Sequence, residues 1–131
     1  MNLYPHFRLL HRIRPRPAWT LELSLDDQRK IWSIPHGPLL HPHERHLAIE
    51  LVNGIEAPES FADCWDAGPA EIRKWTSRQI VAVLHGAKLR GCFSLVRFHH
   101  AGQPHWLWVR VNPRAQQPRR TRAVFSAAPL P

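Results

Sequence analysis

Thirteen prolines are spread along 131 residues, and they constrain the fold more than any other feature. Proline fixes φ and removes a backbone donor, so long helices have no uninterrupted stretch in which to form. What lies between the prolines alternates. Trp19, Leu21, Leu23 and Leu25 alternate with Thr20, Glu22 and Ser24, the period-2 pattern of a half-buried strand. Asp26-Asp27-Gln28 then turns the chain, and Arg29 to Ile34 returns as the second arm of a hairpin. Pro35-His36-Gly37-Pro38 closes that arm, since neither proline can donate to a ladder.

The same alternation recurs elsewhere. Phe7 to Arg14 reads as a strand stopped by Pro15 and Pro17, and Leu47 to Val52 as another, ending at an Asn53-Gly54 turn. Phe61 and Trp65 read as core anchors, Asp66-Ala67-Gly68-Pro69 as a turn, and Pro69 to Thr76 as one short helix. Gln79–Leu84, Phe93–Phe98 and Trp106–Val111 complete about seven short strands. His85 to Gly91 is a glycine-bracketed connection. The expectation is an all-β chain forming a compact, closed or nearly closed β-barrel over residues 1–111, because closure leaves no exposed edges. Residues 112–131 carry Arg114, Arg119, Arg120 and Arg122 among prolines and glutamines and read as a disordered basic tail.

Lys and Arg number 18 against 10 Asp and Glu, a net charge of +8 that points to a polyanionic partner such as nucleic acid. Cys64 and Cys92 are too few for a disulfide framework and read as small core residues. No apolar run approaches the roughly 20 residues of a membrane-spanning helix, and no signal-peptide h-region is present, so no membrane partner and a cytoplasmic location are expected. No serine lies in a nucleophile elbow, and no glycine-rich phosphate loop occurs.

Several blocks occur in an order that resembles the 3′-phosphoesterase domain of bacterial DNA ligase D. They are Trp32-Ser33-Ile34-Pro35-His36-Gly37-Pro38, Leu47-Ala48-Ile49, Trp65-Asp66-x-Gly68, Leu84-His85-Gly86-x-Lys88-Leu89-x-Gly91-x-Phe93-x-Leu95-Val96-Arg97 and Trp106-Leu107. Together they run from about Phe7 to Val111. The resemblance implies a β-barrel enzyme that uses manganese to remove phosphates and ribonucleotides from the 3′ end of a primer during end-joining repair. It also implies DNA or RNA 3′ ends as partners, with a DNA ligase or repair polymerase nearby.

That family's signature is His-x-Ala-x-x-x-His-x-Asp-x-Arg-Leu-Glu, in which two histidines and the aspartate hold the metal and the arginine grips phosphate. Aligned on Leu21-Glu22-Leu23, the arginine falls on Thr20, the aspartate on Ala18 and the second histidine on Arg16. The first histidine falls on Leu10, with His11 one place away. A later essential histidine falls on Gly54 and a tyrosine on Pro58. The lysine of the family's Pro-Lys-Gly-Pro is His36, and the arginine before Leu-Ala is His46. Divalent metals need several converging O or N ligands, and Leu10 and Ala18 have none. The expectation is a domain without the family's catalysis and without a cofactor. It would bind nucleic-acid ends through Arg14, Arg16, His36, Arg45 and His46, phosphate contacts that are salt-sensitive and sequence-indifferent. The alternative is a diverged manganese-dependent 3′-phosphoesterase with a metal centre rebuilt from His11, His36 and His46, helped by His6, His41 or His43. Trp32, Trp65 and Trp106 are expected in the core, and other tryptophans are candidates for base stacking.

Overall fold

The computed structural model describes residues 4–13, 16–51, 62–100 and 103–111. Arg14, the Asn53-Gly54 turn, Gly54 and Pro58 as matched positions, Phe61 and the tail 112–131 lie outside the described residues. Among the described residues, eight strands form one closed antiparallel barrel: β1 (His6–Arg12), β2 (Ala18–Leu25), β3 (Gln28–Ser33), β4 (Arg45–Glu50), β5 (Ala62–Trp75), β6 (Gln79–His85), β7 (Arg90–His100) and β8 (Gln103–Arg110). Round the barrel the order is β1-β2-β3-β4-β8-β7-β6-β5, and β5 pairs back onto β1. The described residues contain no helix long and apolar enough to cross a membrane.

Alternation decides which side chains fill the barrel. Phe7 and Leu9 of β1 face Leu23 and Leu21 of β2 across the sheet, and all four are buried in the interior. Trp32, Ala48, Trp106, Trp108, Leu95 and Phe93 continue the filling from β3, β4, β8 and β7. Trp32 and Trp106 meet edge to face, with ring centroids 5.6 Å apart at 80°, an arrangement that adds about 1 kcal/mol beyond area burial. Trp65 is only partly buried and packs against the core with Trp19 and Trp75. Cys92 is buried as expected, whereas Cys64 is exposed, because its position on β5 faces Leu10 on the outer wall.

Two expectations are corrected together. Asp66 to Pro69 is no turn and Pro69 to Thr76 is no helix, because Asp66 through Trp75 belong to β5, a strand beyond the seven expected. β5 pairs with β1 over Ala62–Pro69 and with β6 over Ala70–Trp75, so it is stitched into the sheet along its whole length. Pro69 stands at the handover between the two partners, where a missing donor interrupts the ladders least. Register shifts at Leu9/Leu10 and at Ile72/Lys74 leave Trp65 and Arg73 as extra residues, β-bulges that bend the long strand round the barrel.

Candidate nucleic-acid interface at one end of the barrel

One end of the barrel is held by a buried carboxylate. Asp66 is 6% exposed and accepts four backbone N–H groups. Its Oδ1 takes Ala67 N at 3.0 Å and Ala87 N at 2.9 Å, and its Oδ2 takes Lys88 N at 2.9 Å and Leu89 N at 2.6 Å. Burial pushes the Asp66 pKa up, and the four amides together outweigh it, holding the carboxyl below its ordinary 3.8. Gly68 and Gly86 make the close approach possible. A Cβ on Gly68 would run into the His85 carbonyl oxygen, and one on Gly86 into Asp66 Oδ2 and the Phe7 ring. Lys88 folds over Trp65, with its Nζ 4.5 Å from the ring centroid, and donates to the Trp65 carbonyl at 3.1 Å. The Trp65-Asp66-x-Gly68 and His85-Gly86-x-Lys88-Leu89 blocks therefore meet in space as a strand and the turn it anchors.

The Pro35–Pro38 corner lies at the same end. Gly37 N donates to the Ile34 carbonyl at 3.0 Å, and Gly37 has φ of 78°, which favours glycine. Gly37 sits so close to Trp19 that a Cβ would stand 3.1 Å from the indole Nε1. His11 stacks on Trp19 with centroids 3.8 Å apart and planes 7° from parallel. Trp19 meets Trp65 edge-on at 5.6 Å. Trp19 and Trp65 thus spend their faces on His11, Gly37 and Lys88 rather than presenting them as open base platforms. His46 Nδ1 donates to the Gly37 carbonyl at 2.8 Å, leaving Nε2 3.5 Å from Glu44 Oε1, and the His36 ring lies 6.1 Å from that of His46.

The expected site residues divide. Arg16, exposed in the β1–β2 connection, and His36 and His46 come to this end. Arg45 does not join His46, since the two are neighbours on β4 and point to opposite faces. His46 faces inward opposite Trp108, and Arg45 faces the outer wall opposite Val109. His11 is placed by its stack on Trp19, and among the described residues no three His, Cys, Asp or Glu side chains gather to hold a metal.

Register also locates the positions matched to the family's metal set. Leu10 faces Thr20 directly, and Arg12 faces Ala18. Both pairs alternate with the core pair Leu9–Leu21 and so lie on the outer wall. Leu10 is 7% exposed and, like Ala18, offers no ligand atom, while Arg12 and Arg16 bring positive charge there. These residues do not fit a manganese ion.

Sequence reasoning missed Arg12, Lys88, Arg90 and Arg110 as members of this end. Arg12 closes β1 opposite Ala62, where β5 begins, and its Nε donates to the Arg16 carbonyl at 3.3 Å. Arg90 opens β7, and Arg110 closes β8, donating to the carbonyls of Arg90 at 2.9 Å and Leu39 at 3.3 Å. Against these cations stand only two acids that reach solvent among the described residues at this end, Glu44 and Asp63, since Asp66 is enclosed by amides. The opposite end is mixed in sign, with Asp26, Asp27 and the Lys30–Glu50 and Arg73–Glu71 pairs.

Compared with family models, the chain matches none. A search of curated proteins finds no match either.

Proposed function

We propose that this chain is a phosphoesterase-like barrel, akin to the 3′-phosphoesterase domain of DNA ligase D, that binds nucleic-acid ends without metal-dependent hydrolysis. The gathering of Arg12, Arg16, Lys88, Arg90 and Arg110 at one end carries the reading. A rigid arginine-rich face of this kind suits phosphate, because guanidinium groups offer forked donors and remain charged at any working pH. The tryptophans pack in or against the core, so they offer no open stacking platform, and recognition rests on the phosphate chain and its terminus. The matched positions Leu10 and Ala18 have no group able to hold an activating metal, which supports binding over hydrolysis. A repair context, with a ligase or polymerase acting on the same end, follows from the resemblance and belongs to this proposal.

The test is a primer-template with a 3′-phosphate or a 3′-ribonucleotide, incubated with the protein and manganese, with binding and cleavage scored together. Binding is expected to fall steeply with salt, log K dropping by about 0.7–0.9 per log unit of salt for each phosphate neutralised. The double variant Arg12→Glu/Arg16→Glu should weaken binding by about tenfold or more, whereas Lys74→Glu at the other end should not. Cleavage abolished by a chelator would replace this reading with the manganese-dependent phosphoesterase, and salt-independent binding would remove the phosphate interface.

A further inference from the structure

The outer wall of β4, β8 and β7 is apolar where a solvated barrel wall would be polar. Val96 and Leu107 face each other across β7–β8, and Leu107 faces Leu47 across β4–β8. All three alternate with core residues Leu95, Trp106 and Ala48, so they point away from the interior. Val96 is 39% exposed, and Phe98, one outward position further along β7, is 40% exposed. Beside them runs a groove of about 490 Å³, floored by Val96, Leu107 and Val109 and walled by the 42–45 loop and Arg110. Contiguous exposed apolar surface next to a groove marks an interaction site.

Closure of the barrel limits how a partner can attach. At the floor of the groove Leu107 of β8 is paired with Leu47 and Val96, and Val96 of β7 with Leu107 and Gln79, so a partner there docks through side chains and not by adding a strand. Charge then selects the occupant. Arg45 borders the groove with no ion pair among the described residues, and Arg110 and His43 lie beside it. The one acid there, Glu44, accepts from His41 N at 3.4 Å within its own loop and faces His46. A second copy would bring the same basic rim on a chain of net charge +8. The chain's own residues 112–131 carry arginines and no acid. Both are mismatched in sign.

We propose that this groove docks an acidic amphipathic segment of a partner protein, its apolar side chains against Val96, Leu107 and Val109 and its carboxylates on Arg45 and the rim. The groove adjoins the cationic barrel end, with Arg110 at the border of both, and lies on the outer wall, because Arg45 and His46 take opposite faces of β4.

The experiment uses the full chain and two labelled synthetic peptides. Each has leucines along one helical face; the other face carries glutamates in one peptide and lysines in the other. Fluorescence anisotropy should show saturable binding of the glutamate peptide, about tenfold or more tighter than the lysine peptide. Val96→Asp and Arg45→Glu should each weaken it by about tenfold, with near-UV circular dichroism and unfolding midpoint unchanged, since both side chains are exposed. Equal affinity for the two peptides, no binding, or indifference to both variants overturns the proposal. Self-association that Val96→Asp abolishes would assign the wall to a second copy. Displacement of the peptide by a single-stranded oligonucleotide would assign it to the nucleic-acid interface. Either result also overturns it.

Discussion

Asp66 shows how one residue can set the geometry of a whole end of the barrel. Four N–H groups from two segments converge on its two oxygens, so the β6–β7 turn is positioned by a charge and not by packing alone. In Asp66→Asn one oxygen becomes an NH₂ group facing backbone donors, and two of those donors lose their acceptor. A loss of about 3 kcal/mol is expected, read from urea unfolding at neutral pH. The pH dependence has a definite sign. The folded pKa lies below 3.8, so the carboxylate's contribution is complete above that value and is lost as pH falls through the folded pKa. The gap in melting temperature between wild type and Asp66→Asn should therefore be constant from pH 7 to about 5 and narrow below about pH 4. The thiols give a second residue-scale expectation. Burial raises the Cys92 pKa, with Arg73 opposing and Glu71 adding to it, whereas Cys64 is exposed. A disulfide-exchange reagent at pH 8 should titrate Cys64 promptly in the folded chain and Cys92 only after denaturation.

At the scale of elements, β5 carries the most information about how this sequence folds. Asp66, Gly68 and Pro69 are turn-formers in isolation, and local chemistry reads them as a turn followed by a helix. Their role becomes clear only with three distant partners in place: β1 along Ala62–Pro69, β6 along Ala70–Trp75, and the 86–89 turn that Asp66 grips. Tertiary pairing overrides local preference there, whereas β2 and β3 were legible because their alternation and their two-residue turn agree. The same distinction governs the site. Arg16 and His36 sit in connections that proline announces, so the sequence exposes them. Lys88, Arg90 and Arg110 join them only because the barrel closes. The glycines on β5 and its turn give the direct check. Gly68→Ala and Gly86→Ala each drive a Cβ into backbone or into Asp66, and each should cost about 2 kcal/mol or more, measured as a lower urea midpoint at unchanged slope.

At the scale of the whole molecule, closure through the β1–β5 ladder makes the interior continuous and also brings Arg12 and Arg16 to the same end of the barrel as Lys88 and Arg90. β1 contributes Phe7 and Leu9, both fully buried. Their burial is worth roughly 5 kcal/mol together, comparable with the whole net stability of a small domain. A chain beginning at Arg16 would lose that burial and leave β2 and β5 with open edges. It should lack near-UV circular dichroism, bind a hydrophobic dye and sediment as aggregates. It should also lose the nucleic-acid affinity of the full chain. A synthetic peptide of residues 4–13 added to it should restore the near-UV signal saturably, because the missing strand is bound by two ladders and a ready-made apolar slot. If the truncated chain instead unfolds cooperatively as a monomer, the seam is not what holds the barrel shut. The stabilising core would then have to lie in β4, β8 and β7, where Trp106, Trp108 and Phe93 are packed.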